Sequence, residues 1–192
     1  YLSSGLGEPC SSETRKEQTN MSPLLAKGKD AVRFFLLSKK PETEFNFDVD
    51  LAQKHSEENP VFYVQYAHAR ASSVIKQSCV SEKELLVYFR NLSEKSFVGE
   101  QLEKFNKSEN DLVLRVLGFP EVARCVTENF EPHQLIFYLH DLASDFHKFY
   151  NDSKILVEDV WTKNRRLLIV FGVARVLKSN LELLGINAPE KM

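Results

Sequence analysis

Apolar residues recurring every three or four positions govern the last third of this chain. In PHQLIFYLHDLASDFHKFYN, Leu135, Ile136, Leu139, Leu142, Ala143, Phe146 and Phe149 fall at those steps. An α-helix gathers positions i, i+3, i+4 and i+7 on one side, so the stretch folds as an amphipathic helix with one buried face. The pattern returns downstream in Leu167, Leu168, Phe171, Val173, Val176, Leu177, Leu181 and Leu184. A half-buried strand needs alternation at every second residue, and no convincing run of that kind occurs. With only 7 glycines and 7 prolines the chain is poor in turns for a β-sandwich. The expected fold is all-α, a helical bundle.

Punctuation divides the pattern into helices. Asp30 is placed to cap a short helix over 30–37 that ends before Pro41. Asp48 is placed to cap a second over 49–58. Asn59 followed by Pro60 is a strong start signal: a capping side chain, then a proline where its missing N–H does no harm. The third helix should reach Gln77. Ser81 with Glu84 has capping-box spacing for a fourth helix, and Ser108 with Asp111 is expected to open a fifth that Gly118 closes. Pro120 and Pro132 start the sixth and seventh. The last helix begins between Asp159 and Asn164 and ends at Gly185. The two long helices are expected to pack on the third as the centre of the core.

Residues 1–28 are polar and aperiodic, and are expected to form a disordered tail before a domain over 29–192. The chain opens on Tyr1, as a fragment or a processed product does. The longest apolar run, LLIVFGVA, has eight residues. A membrane-spanning helix takes about 20. The first residues given are polar with no apolar h-region, so they are not expected to act as a signal peptide. Cys10, Cys79 and Cys125 are scattered, which is expected of reduced, buried thiols in the cytoplasm.

Catalytic patterns are absent. There is no GxSxG, P-loop or GxGxxG, and no cysteine with a placed histidine, so no catalytic residue or cofactor is expected in this chain. His133, His140 and His147 share one helix stripe, but seven residues rise about 10.5 Å, too far for ligands of one metal. Net charge is −2, so nothing global points to nucleic acid or membrane. Locally, no acid lies between Val160 and Leu181, while Lys163, Arg165, Arg166, Arg175 and Lys178 do. That strip reads equally as a solvated face or as a phosphate-contacting surface. Tyr63, Tyr66, Tyr138, Tyr150 and Trp161 are rings on which bases can stack, each worth about 1–3 kcal/mol, although most helical rings belong to a core.

The segments KDAVRFFLL, FNFDVDLA, ENPVFYVQYAHAR and LELLGINAPEKM, in that order, resemble the C-terminal region of arginyl-tRNA synthetases, the helical anticodon-binding module of the DALR type. The resemblance covers about Lys29 to Met192. It implies a module that grips the anticodon loop of arginine tRNA. It implies that Met192 and Tyr150 form a slot for a flat base, sulfur on one side and phenol on the other. Tyr66, His68 and Arg70 are implied contributors, and Trp161, Lys163, Arg165 and Arg166 join them from the basic strip. In NPVFYVQYAHAR, Phe62 and Tyr66 are expected on the core side, with Tyr63 and Arg70 on another. The family's HIGH and KMSKS motifs are missing; NMSPLL lacks the lysine that would neutralise a triphosphate. ATP and arginine therefore belong to an upstream Rossmann-type domain, and this chain alone is expected to be an inactive monomer that binds tRNA. The alternative is a stand-alone DALR-like adaptor that docks a protein partner.

Overall fold

Side-chain caps start most of the helices. The computed structural model describes residues 23–40, 42–93 and 105–192, and eight α-helices run through them. They are α1 (Pro23–Leu37), α2 (Val49–Gln53), α3 (Pro60–Ser78), α4 (Glu82–Ser93), α5 (Lys107–Leu117), α6 (Phe119–Asn129), α7 (Pro132–Asp152) and α8 (Val160–Leu183). Asp48 accepts from the Leu51 N–H at 2.9 Å. Asn59 accepts from Val61, Ser81 and Glu84 close a reciprocal capping box, and Asp159 accepts from Thr162. These are the caps the punctuation implies, and each satisfies an N–H left over at a helix start.

Three boundaries differ from expectation. α1 begins at Pro23, so Asp30 lies in mid-helix, buried, and caps nothing. Residues 23–28 are helical rather than tail, while residues 1–22, where disorder is expected, lie outside the described residues. α2 stops at Gln53, not near 58, because Asn59 also works backwards: its Nδ2 donates to the carbonyls of Ala52 and Lys54 at 3.0 and 2.9 Å. One asparagine thus ends α2 and starts α3. α5 is opened by Asn106 and Glu109 in a capping box, not by Ser108 and Asp111. The Ser108 hydroxyl instead donates to Asn106 Oδ1.

The core gathers where α3, α7 and α8 meet, with α5 against the last two, α4 on α8, α6 on α7, and α1 beside α2, α3 and α7. All seven stripe residues of α7 are buried, and so are Leu167, Val173, Leu177, Leu181 and Leu184 of the last segment. Leu168, Phe171 and Val176 are half-buried, and Ile169, Val170 and Ala174 are buried as well. α8 is covered on several sides, which is why its apolar pattern is broader than a stripe. Each fully buried Leu or Phe contributes roughly 1.5–3 kcal/mol before entropy. The cysteines do not follow expectation: Cys79 is exposed at the left-handed C-terminus of α3, Cys125 is half-buried, and Cys10 lies outside the described residues. No helix among the described residues is long and apolar enough to cross a membrane.

Candidate functional site

One face of α3 carries a run of flat groups. Phe62, Tyr66 and Arg70 are spaced four apart, so they stand one above the other along the helix. The Phe62 and Tyr66 rings stack at 5.9 Å with planes 8° apart. The Arg70 guanidinium lies 4.9 Å from the Tyr66 centroid and 4.3 Å from that of Tyr150. His55 meets the other end of the run edge-on against Phe62. Phe62 and Tyr66 are therefore not core-facing, contrary to expectation; they are half-buried. The core face of α3 belongs to Val61, Val64, Ala67, Ala71 and Val74. Those small and branched side chains let α7 and α8 approach closely and leave the rings outside.

Histidines back the run from below. His147 stacks on Tyr66 at 5.7 Å, and Tyr63 sits 4.7 Å from His147 and 5.2 Å from His140. Burial holds the His147 pKa below its ordinary value, against a backbone hydrogen bond at Tyr63 that favours the charged form. A neutral imidazole under Tyr66 leaves Arg70 as the cation of this face.

The chain end comes to the same helix. Gly185 takes φ +68, where a Cβ would also meet the Arg33 guanidinium. This left-handed residue turns the chain off α8. Ile186 is then buried, and the following residues run as a strap over α3. Met192, 49% exposed, borders a cleft of about 480 Å³ together with Val32, Phe47, Val49, His55 and Phe62. Tyr150 joins the run through Arg70, while Met192 lines the cleft that Phe62 also borders; Tyr66, Arg70 and Tyr150 do not line that cleft. Arg70 covers a face of Tyr150, so the expected slot between sulfur and phenol is not standing open.

Other expected contacts go elsewhere. His68 is 2% exposed, and its Nδ1–H donates to the Pro189 carbonyl at 2.8 Å. It faces the strap, not solvent. Arg165, 5% exposed, donates to Glu109 at 2.8 Å and lies over the Phe105 ring. Arg166 donates to the same carboxylate at 2.6 Å and to the Lys154 carbonyl at 2.7 Å. Glu109 itself is fully buried. Trp161 packs on Tyr88 and Phe89 of α4, Lys163 is half-buried, and Arg175 pairs with Glu82 at 3.0 Å. Three of the five cations of the acid-free strip, Arg165, Arg166 and Arg175, are thus answered by acids from other helices, while Lys178 is exposed. Tyr138 is buried as well; its hydroxyl donates to the Arg115 carbonyl, and burial pushes its pKa up to about 12. Sequence reasoning missed the roles of His55, Phe62, Asp30 and Glu109. The spacing of Asn106 and Glu109 was the one available signal.

The model of the DALR anticodon binding domain family matches residues 64–192. This chain belongs to that family. The DALR match begins inside α3 and takes in Tyr66, Arg70, Tyr150 and the strap, while α1 and α2 precede it. The chain is 43% identical over 166 residues to an arginine–tRNA ligase of Geobacter metallireducens, covering 86% of this chain and 28% of the relative. It is 43% identical over 169 residues to an arginine–tRNA ligase of Polynucleobacter necessarius, covering 88% of this chain and 27% of the relative. The solved arginyl-tRNA synthetase of Thermus thermophilus superposes with a TM-score of 0.71 at 27% identity, over 94% of this chain and 30% of that one. The DALR chain therefore spans only about 28% of the length of the curated relatives it matches.

Proposed function

We propose that this DALR domain binds the anticodon stem-loop of arginine tRNA, as the RNA-reading part of an arginine–tRNA ligase. The observation that carries the reading is the run Phe62–Tyr66–Arg70–Tyr150 on one half-buried face, beside a cleft bordered by Met192. Single-stranded loop bases are read by stacking on rings and guanidinium planes, and this face supplies both. Tyr66, Arg70, Tyr150 and Met192 are the assigned RNA contacts. A loop base takes the place of Arg70 over Tyr150, and the freed guanidinium turns to a phosphate. With a net charge of −2, the electrostatic grip on RNA is modest, and binding weakens as salt rises. ATP-dependent activation of arginine is assigned to a Rossmann-type domain outside these residues.

The test is binding of the purified chain to arginine tRNA and to versions with altered middle anticodon bases. The altered tRNAs should bind at least about ten-fold more weakly, some 1.4 kcal/mol. Equal binding to unrelated tRNAs would overturn the reading and favour an adaptor whose α3 face docks a protein.

A further inference from the structure

The end of the chain is held by more polar contacts than a trailing tail requires. Gln65 Nε2 donates to Asp30 Oδ2 at 3.0 Å and to the Asn187 carbonyl at 2.9 Å. Asn187 Nδ2 donates to both oxygens of Asp30, at 3.2 and 3.0 Å. One buried carboxylate therefore receives amides from α3 and from the strap. Two residues further on, the Pro189 carbonyl accepts from His68. Ile186 is buried, and Ala188 packs against the core from partial burial. Lys76 and Glu190 pair at 2.8 Å, both well exposed, and such a pair adds little.

We infer that Asp30, Gln65, His68 and Asn187 form a clasp that positions Met192 at the edge of the cleft. The inference rests on the proposed RNA-binding role of that cleft. Asp30 is 3% exposed, and a buried carboxylate costs more than an apolar residue that would seal α1 on α3 equally well. What the acid adds is register. An apolar contact tolerates the strap sliding by a residue, whereas a slip would carry the Asn187 amide, the one side-chain amide in 185–192, away from Asp30; the backbone carbonyls of Asn187 and Pro189, taken by Gln65 and His68, add strength to that register without selecting it. Pinned from 186 to 189, the strap leaves 190–192 to reach the cleft that Phe62 also lines. The four clasp residues are positioning residues; they act through Met192.

The experiment uses Asn187→Ala, whose side chain sits on the exposed strap, and Gln65→Ala as a second variant. Two quantities are read on the whole chain: the rate at which carboxypeptidase Y releases Met192, and affinity for arginine tRNA. Both variants should speed release, weaken RNA binding about ten-fold, and cost no further affinity in a Met192→Ala background, since coupled residues fail to add. Unchanged release in both variants would show that the contacts do not hold the strap. Faster release with unchanged affinity, or losses that add fully to Met192→Ala, would show that strap position does not serve binding. Should the parent chain not bind RNA, the RNA-reading proposal fails and with it the clasp's purpose, while the release assay still reads whether the clasp exists.

Discussion

The Arg70 guanidinium bridges two tyrosines from different helices, 4.9 Å from the Tyr66 centroid and 4.3 Å from that of Tyr150. The bridge ties α3 to the last turn of α7, and it does so on a half-buried face, where cation–π attraction is worth about 0.5–2 kcal/mol. The bridge is one modest part of what holds these groups, and the proposed RNA binding exchanges it for contacts to a base.

Tyr150→Ala separates those two uses. Affinity for arginine tRNA should fall about ten-fold, and Tyr150→Phe should retain it, since stacking uses the ring and not the hydroxyl. Thermal unfolding should shift by several degrees without collapse, since the half-buried ring gives up a bridge worth about 0.5–2 kcal/mol and its contact with Phe146. A collapse of the melting transition with unchanged affinity would make the ring structural. Calorimetric titration and thermal denaturation decide it.

Glu109 should behave oppositely. It is fully buried, it receives Arg165 and Arg166, and it closes the cap of α5. Glu109→Ala strands two guanidinium groups and should cost about 3–5 kcal/mol in denaturant unfolding. Replacing Glu109, Arg165 and Arg166 together by methionine should cost much less, since no charge is then left buried. A triple variant no more stable than the single one would contradict this.

The third prediction concerns pH. Burial is the leading cause that lowers the pKa of both His68 and His147. Lys178 lowers that of His68, opposed by Glu190, Glu182 and the Pro189 contact; Arg70 lowers that of His147, opposed by Glu57 and the Tyr63 backbone. The unfolded chain titrates near the usual histidine value of about 6.5 and so binds protons that the folded chain refuses. Stability is then full above that value and falls as pH drops from there toward the lowered folded values. His147→Gln should flatten the loss of melting temperature between about pH 7 and 5. An unaltered slope would assign the acid sensitivity to other groups.

Helix limits were readable where one residue does one local job. Asp48, Asn59, Ser81 with Glu84, Pro132 and Asp159 each cap or start a helix within three or four residues of themselves. Asp30 misled for the same reason: an acid before an apolar run looks like a cap, and its partners are Gln65 and Asn187, 35 and 157 residues away. The basic strip misled because charge balance is a property of neighbours in space. The acid-free run of α8 meets Glu109 from α5 and Glu82 from α4. His68 and Arg70 differ by two positions yet part company, one to the strap and one to the ring run, since two residues turn a helix by about 200°.

The amino-acid sequence determined on its own that this chain is a bundle of amphipathic helices, where most of them start, and which stripe of α7 is buried. Periodicity and capping act over a single turn, so the order of residues is sufficient for them. Only the tertiary structure decided which polar groups face one another. Which carboxylate neutralises Arg165, which carbonyl His68 meets and which rings flank Arg70 depend on how distant helices dock, and that is set by the fit of their apolar faces in three dimensions.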